Sequence, residues 1–397
     1  MKLASRTHRV GPSPTLGITA TAKTMAAQGI EVCNFGAGEP ACDTPDFIKA
    51  AAIEAIQAGF TKYTPVTGTE ELKSAIVDKF QHDQGVAYEK SQIVVSCGAK
   101  HTLYNLAQAL CDAGDEVIIP TPYWVSYPDI VRLADATPVF LDTDESKGYA
   151  IDPQALEQSL SPRTKALILN SPCNPTGAMY NRETLEAIAS IALRHKITII
   201  SDEIYEKICY DQIPFLSILS VAPELQAQTI LVNGVSKAFA MTGWRIGYAA
   251  GPQDLMTAMG HIQSQSTSNP TSIAQKAATA GLRGDESFFA ELIRDLEPKR
   301  ALMVKQLNTI PGIHCPNPSG AFYAFPNVKE LLGRRHAEGV IATPTDLAAY
   351  LLKEARVACI PGEPFGSANH LRLSYTTELP IIQKGLERIG QAISGLR

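Results

Sequence analysis

Short runs of Ile, Val and Leu recur along the chain, and segments with helical spacing separate several of them. The runs lie at residues 92–95, 116–119, 137–141, 165–169, 196–200 and 229–232. Nearly unbroken apolar strands that alternate with helices are typical of a parallel sheet covered on both faces. The sequence therefore predicts an α/β fold with a mostly parallel central sheet. Helices are predicted at residues 18–28, 45–59, 69–84, 101–111, 182–195, 271–282, 286–307, 345–355 and 380–395.

Polar, aromatic or charged groups follow five of these runs. In open α/β sheets, ligands bind outside the carboxyl ends of the strands. The five strand ends are therefore expected to meet at one crevice. The groups that follow the runs are, in chain order, Ala99 and Lys100, Trp124, Asn174, Asp202 and Tyr205, and Lys237.

Lys237 follows the run at residues 229–232 and stands among Ala, Phe and Met. Burial disfavours the charged form of lysine, and a neutral amine can condense with a carbonyl. Arg245 stands eight residues further on, between Gly243 and Gly247, and its planar guanidinium matches phosphate oxygens. A cofactor with an aldehyde at one end and a phosphate at the other would use both side chains. Pyridoxal 5′-phosphate (PLP) is such a cofactor.

Three further strand ends suit the same cofactor. Ala99 and Lys100 stand at a strand-to-helix turn, where free N–H groups of a helix N-terminus attract phosphate. Trp124 can stack on a pyridine ring, which is worth ~1 kcal/mol. Asp202 follows two isoleucines and is predicted to be buried, so its carboxylate needs a cationic partner. A pyridinium N–H would supply that partner and make the ring an electron sink.

Two motifs around Lys237 resemble a known signature. Gly-Val-Ser-Lys at residues 234–237 and Gly-Trp-Arg-Ile-Gly at residues 243–247 resemble the PLP-attachment signature of class I/II aminotransferases. Ala-Gly-Glu-Pro at residues 37–40 and Pro-Tyr-Trp-Val-Ser-Tyr at residues 122–127 are similar to segments of prokaryotic-type aspartate aminotransferases. Some members of that group also transaminate prephenate.

The resemblance implies a fold-type I PLP-dependent transferase. It implies a large PLP-binding domain at residues 45–290 and a small domain built from residues 1–44 and 291–397. It further implies a homodimer with shared active sites, in which Tyr63 reaches the cofactor phosphate of the neighbouring subunit. The implied reaction moves an amino group between L-aspartate, or a related amino acid, and 2-oxoglutarate by a ping-pong mechanism.

The resemblance also assigns a role to each matching site residue. Lys237 bonds to the cofactor and moves the substrate's α-proton, while Asp202 and Tyr205 complete the catalytic set. The expected cofactor ligands are Ala99, Lys100, Trp124, Asn174, Asp202, Tyr205, Ser236, Lys237 and Arg245, with Tyr63 from the partner. The expected substrate ligands are Gly38, Trp124, Asn174 and Arg372, with Thr15 and Lys100 at the distal end of a dicarboxylate.

Composition excludes several other classes. The chain has 397 residues and a formal net charge of −5, so it lacks the basic surface expected of a nucleic-acid-binding protein. Its eight cysteines form no CxxC pair, and we predict reduced thiols rather than a disulfide framework or a metal site. No apolar run is long enough to span a bilayer, and residues 1–10 lack the apolar core of a signal peptide. A cytoplasmic enzyme is expected.

Two alternatives use the same cofactor. A carbon–sulfur lyase of the same fold would share the site but release a different product. A PLP-binding transcription regulator would carry a basic DNA-binding segment ahead of the large domain, and the first forty residues are not basic enough for that role. The choice of amino donor and acceptor stays open at this stage.

Overall fold

The computed structural model describes residues 1–11 and 14–397. The strands are β1 Cys33–Asn34, β2 Ile93–Ser96, β3 Glu116–Thr121, β4 Thr137–Asp142, β5 Thr164–Asn170, β6 Thr198–Asp202, β7 Thr229–Gly234, β8 Gly247–Ala250, β9 Tyr323–Ala324, β10 Arg335–His336, β11 Gly339–Val340, β12 Val357–Ala358, β13 Ile360–Pro361 and β14 Leu371–Ser374. The α-helices are α1 Pro14–Ala27, α2 Asp46–Gln57, α3 Glu70–Gln84, α4 Ala99–Leu110, α5 Tyr127–Leu133, α6 Pro153–Gln158, α7 Arg182–His195, α8 Ile218–Val221, α9 Gln253–Ser266, α10 Ser272–Arg283, α11 Ser287–Leu307, α12 Pro344–Tyr350 and α13 Leu379–Ser394.

The main sheet has the strand order β2-β8-β7-β6-β5-β3-β4 within the described residues. All six predicted apolar runs form strands of this sheet, and they run parallel to their neighbours except where β8 intervenes. The seventh strand, β8, was not predicted. It is antiparallel to both β7 and β2 because the segment that carries Lys237 turns back on itself, so that Gly234 pairs with Gly247.

Both faces of this sheet are covered, as the apolar runs predict. Alternate residues point to opposite faces, so Ile199 and Leu231 pack toward α3, α7 and α10. Ile200 and Val232 pack toward α4, α5 and α9 on the other face. The carboxyl edge between these two layers is therefore the crevice in which ligands are expected.

Helix α9, at Gln253–Ser266, was not among the helices predicted from the sequence. Its buried residues are Met256, Met259, Gly260 and Gln263, which recur at helical spacing on one face. The serines and glutamines on the other face hid this pattern. Helix α1 also begins earlier than the predicted residue 18.

A second lobe is built around the three-stranded sheet β13-β14-β9 and helices α11 and α13. Strand β1, near the start of the chain, pairs in parallel with β12 of this lobe. Phe35 is fully buried there and accepts a backbone hydrogen bond from Ser374 of β14. The domain boundaries at residues 44/45 and 290/291 remain a prediction. None of the helices formed by residues 1–11 and 14–397 combines the length and the apolar character needed to cross a membrane.

Candidate active site

A cavity of about 420 Å³ lies at the carboxyl edge of the main sheet, where the second lobe covers it. It brings together residues that are up to 336 positions apart in the chain, from Gly36 to Arg372. The predicted site residues that line it are Gly38, Ala99, Lys100, Trp124, Asn174, Asp202, Tyr205, Ser236, Lys237, Arg245 and Arg372. Their chemical roles stay predictions, but their convergence is a property of the fold.

Lys237 lies in the turn after β7 and is partly buried. Its Nζ donates a hydrogen bond to the carbonyl oxygen of Gly38 and lies 5.9 Å from the ring centroid of Tyr205. Burial, and then the positive charge of Arg372, lowers the pKa of Lys237 to about 8. A substantial fraction of the amine is therefore neutral at mildly alkaline pH, as a carbonyl-attacking nucleophile requires.

Asp202 ends strand β6 and is 3% exposed. Its Oδ2 accepts a hydrogen bond from the Tyr127 hydroxyl at 2.7 Å, and its Oδ1 accepts one from the Ile204 N–H at 3.3 Å. Burial raises the pKa of Asp202 to about 6, although the Tyr127 hydrogen bond opposes the shift. A cationic N–H group in the cavity would stabilise the ionised form.

Arg372 is 3% exposed. An arginine between two apolar residues of a strand, as here between Leu371 and Leu373 of β14, more often points to solvent. Its Nη1 donates to Asn174 Oδ1 at 3.1 Å, and its Nη2 donates to the Gly36 carbonyl at 3.0 Å. The guanidinium lies over the rings of Tyr323 and Phe365, 4.5 and 5.0 Å from their centroids. Its buried Nε has no hydrogen-bond partner among the described residues. A ligand carboxylate would supply the missing countercharge.

The N-terminus of helix α4 meets Arg245 at another wall of the cavity. Gly98 precedes the helix with φ +89°, and a Cβ there would lie 2.3 Å from Arg245 Nη2. Arg245 itself has φ 55°, and its Nη1 donates to the Thr242 carbonyl at 2.9 Å. Free helix N–H groups beside a guanidinium form a site for an anion such as phosphate.

Lys100 and Trp124 form the wall beside this anion site. Lys100 Nζ lies 4.9 Å from the Trp124 ring centroid, and the Tyr127 ring packs edge-on against Trp124 at 5.3 Å. Burial, and then the charge of Arg245, lowers the pKa of Lys100. An aromatic surface and a second cation therefore lie close together in the cavity.

Two predicted site residues are not in the cavity lining. Tyr63 is 91% exposed and lies outside the cavity of its own chain. Thr15 falls in helix α1, and its side chain lies outside the described part of the chain.

Several cavity residues were missed from the sequence. Tyr127 stands three residues after Trp124 in the same motif, so its position was visible although its bond to Asp202 was not. Tyr323, whose hydroxyl lies 2.9 Å from the Tyr205 hydroxyl, comes from the second lobe and gave no local signal. Other lining residues not assigned a role are Gly36, Ala37, Glu39, Leu103, Asn170, Ile204 and Thr242.

Comparison with known proteins agrees with this geometry. The family model for aminotransferase class I and II matches residues 30–389. The chain is 49% identical to the aspartate aminotransferase of Geobacillus stearothermophilus over 98% of each protein. It is 46% identical to the aspartate/prephenate aminotransferase of Nitrosomonas europaea, over 99% of this chain and 100% of that protein.

Solved structures show the same relationship. The crystal structure of the aspartate aminotransferase from Rhizobium meliloti superposes with a TM-score of 0.96 at 45% identity and full coverage of both chains. The Thermus thermophilus aspartate aminotransferase with maleate gives a TM-score of 0.93 at 40% identity, over 99% of this chain and 100% of that one.

The fold and the cavity thus define a fold-type I transferase with a lysine, a buried acid and a buried arginine at the carboxyl edge of its sheet. The chain belongs to the aminotransferase class I and II family. The predicted fold class, the family and the aminotransferase activity are confirmed.

Gly98→Ala tests the contact between helix α4 and Arg245. A side chain at φ +89° is strained, and its Cβ would collide with the guanidinium, so we expect the free energy of unfolding to fall by about 1–3 kcal/mol. Urea unfolding measures this loss. Gly243→Ala is the matched control, because nothing lies within 4 Å of its Cβ position. Equal stability of the two variants would contradict the packing described here.

Proposed function

We propose that the cavity binds PLP and that the enzyme transfers amino groups between L-aspartate and 2-oxoglutarate, with prephenate as a further acceptor. One observation carries the proposal: Lys237, Asp202, Arg245 and Arg372 line a single cavity. The chain is 46–49% identical in sequence, over nearly its whole length, to aspartate and aspartate/prephenate aminotransferases. This identity supports aspartate and prephenate as substrates.

The residues present fit PLP at three points. The N-terminus of α4 and Arg245 suit the phosphate, and Lys237 suits the aldehyde. Among the described residues, the Asp202 carboxylate accepts hydrogen bonds from a hydroxyl and a backbone N–H and from no cation. It therefore suits the ring N–H of the cofactor. When bound, PLP supplies a positively charged ring that accepts electrons from the substrate α-carbon.

The protein's own groups then have separate tasks. Asp202 holds a proton on the ring nitrogen, and the Tyr127 hydroxyl keeps the carboxylate oriented. Lys237, with its lowered pKa, takes the proton from the substrate α-carbon. Arg372 clamps the α-carboxylate through its planar fork, while Asn174 orients the guanidinium.

The charges in the cavity favour a dicarboxylate substrate. Besides Lys237, the cavity lining carries three cations, Lys100, Arg245 and Arg372, and two acids, Glu39 and Asp202. With the cofactor phosphate on Arg245, two cations remain for two carboxylates. Arg372 takes the α-carboxylate, and Lys100, together with Thr15 by analogy with the family, takes the distal one.

We further propose a homodimer in which Tyr63 of one subunit contacts the cofactor phosphate in the other. Tyr63, which stands between Lys62 and Thr64, is almost fully exposed in the single chain, so its ring is free to contact a second subunit. Arg245 is also exposed in the single chain, so the phosphate side of the cavity is open toward solvent. A second subunit would close that side.

Lys237→Ala tests the reaction class. The variant should bind PLP without the absorption band of a lysine-bound cofactor, and kcat should fall by at least about 10³-fold because both nucleophile and base are lost. Wild-type enzyme given aspartate without an acceptor should release about one oxaloacetate per site as the cofactor absorption changes. Release of pyruvate, ammonia and sulfide from L-cysteine without that change in absorption would instead indicate a carbon–sulfur lyase, and near-normal turnover by Lys237→Ala would refute the assignment.

Lys100→Ala tests the distal carboxylate site. Loss of a charge-assisted contact should lower kcat/KM for aspartate and for prephenate roughly 10-fold or more. Aromatic amino acids, which have no distal carboxylate, should be affected much less. Steady-state assays with both substrate types measure the difference, and Lys305→Ala on the surface of α11 is the control. Equal losses for all substrates would remove this role from Lys100.

Mixed dimers test the shared site. Tyr63→Ala and Lys237→Ala chains are each expected to be impaired as homodimers, but a mixed dimer would contain one site with both residues intact. Random reassortment makes about half of the dimers mixed, so activity should recover to about a quarter of the wild-type value. Activity equal to the mean of the two parents would show that Tyr63 does not act across a subunit interface.

A further inference from the structure

The turn after β6 carries site residues on one side and buried acids on the other. Asp202 and Tyr205 line the cavity. Glu203, between them, is 1% exposed and does not line the cavity, and Glu206 is also buried. The segment at residues 202–206 therefore contributes side chains both to the active site and to a polar cluster behind it.

Glu203 is held by three hydrogen bonds inside this cluster. Its Oε1 lies 2.8 Å from Ser201 Oγ and 2.7 Å from Ser217 Oγ. Its Oε2 lies 2.6 Å from Gln84 Nε2, at the end of helix α3, and the same Nε2 lies 3.0 Å from Glu206 Oε2. One buried amide thus ties the two acids of the turn to α3.

The charges around Glu203 leave it without a cation of its own. Lys79 pairs with Glu206 and Asp83, and Lys207 pairs with Asp83 and the exposed Glu286. The phenols of Tyr88 and Tyr248 also face the cluster, and neither has a hydrogen-bond partner among the described residues. An ionised Glu203 would add an uncompensated negative charge in the protein interior, which is costly.

Burial, and then the negative charge of Glu206, raises the pKa of Glu203 to about 8. The carboxyl group is therefore mostly protonated at neutral pH. Its proton can be donated to a serine hydroxyl, since a hydroxyl both donates and accepts. The charge count and the hydrogen bonds lead to the same protonation state.

We propose that Glu203, as a neutral acid, is a positioning residue that fixes the turn so that Asp202 and Tyr205 keep the geometry that binds the cofactor ring. On the cavity side, the Asp202 carboxylate accepts two hydrogen bonds from the described residues, one from Tyr127 and one from the Ile204 N–H. Behind it, Glu203 anchors the turn through its side chain and through its N–H, which donates to the Val232 carbonyl at 2.9 Å. This inference rests on the proposed PLP site.

Two variants separate positioning from bulk stability. Glu203→Leu removes the hydrogen bonds, and the resulting displacement of Asp202 should weaken PLP binding and lower kcat, each roughly 10- to 100-fold. Glu203→Gln keeps the shape and the neutral state, so PLP affinity measured by absorption titration should stay within about threefold of wild type. Glu286→Gln, at the exposed end of the same cluster, is the matched control.

The pH dependence of thermal unfolding tests the neutral state, even where Glu203→Leu does not fold. The pKa of Glu203 is raised from 4.5 to about 8 on folding, so the folded state keeps a proton that the unfolded state releases. Wild type should therefore lose Tm relative to Glu203→Gln as pH rises from about 4.5 to about 8, and the difference should level off above that range.

Three results would overturn the proposal: parallel Tm–pH curves for wild type and Glu203→Gln, wild-type PLP affinity in a folded Glu203→Leu variant, or equally weak binding by Glu203→Gln and Glu203→Leu. Failure of the proposed function looks different. In that case wild type itself would bind no PLP, while the Tm–pH comparison would still report the protonation state of Glu203.

Discussion

The site depends first on the register of neighbouring parallel strands. Asn170 of β5 pairs with Asp202 of β6, and Asp202 pairs with Val232 of β7. Because the strands are parallel and in register, all three end at the same edge of the sheet. The segment after β7 then places Lys237 in the same cavity as Asp202. A shift of one residue in this register would turn Asp202 to the opposite face of the sheet.

Burial at that edge determines the chemistry. The same desolvation raises the pKa of Asp202 and lowers the pKa of Lys237, so both values move toward neutral pH. Groups with such pKa values exchange protons readily under physiological conditions. The second lobe contributes to this effect, because it brings Arg372 and Tyr323 over the cavity. The lobe therefore shapes the electrostatics of the site as well as its walls.

The parts of the site that could be predicted are those that local sequence determines. Asp202 and Lys237 directly follow apolar strands, so their position at the sheet edge was visible. The burial of Arg372 was not, because the Tyr323 ring that covers it comes from a distant part of the chain, and the Phe365 ring reaches it only through the fold of the segment between β13 and β14. Helix α9 was missed for a different reason. Its buried face includes Gln263, whose amide donates to the Val66 and Val95 carbonyls, and polarity there signals hydrogen bonding rather than exposure.

Two adjacent acids at the end of β6 show most clearly which properties the sequence alone does not determine. Asp202 and Glu203 are neighbours, and both are almost fully buried. Their side chains point to opposite sides, where the Asp202 carboxylate accepts hydrogen bonds from Tyr127 and the Ile204 N–H and faces Lys237, while Glu203 faces the second acid Glu206. The pKa of Asp202 rises only to about 6, while that of Glu203 rises to about 8. At neutral pH one acid is therefore mainly ionised and the other mainly neutral, so a single turn presents a charge to the active site while adding none to the interior behind it.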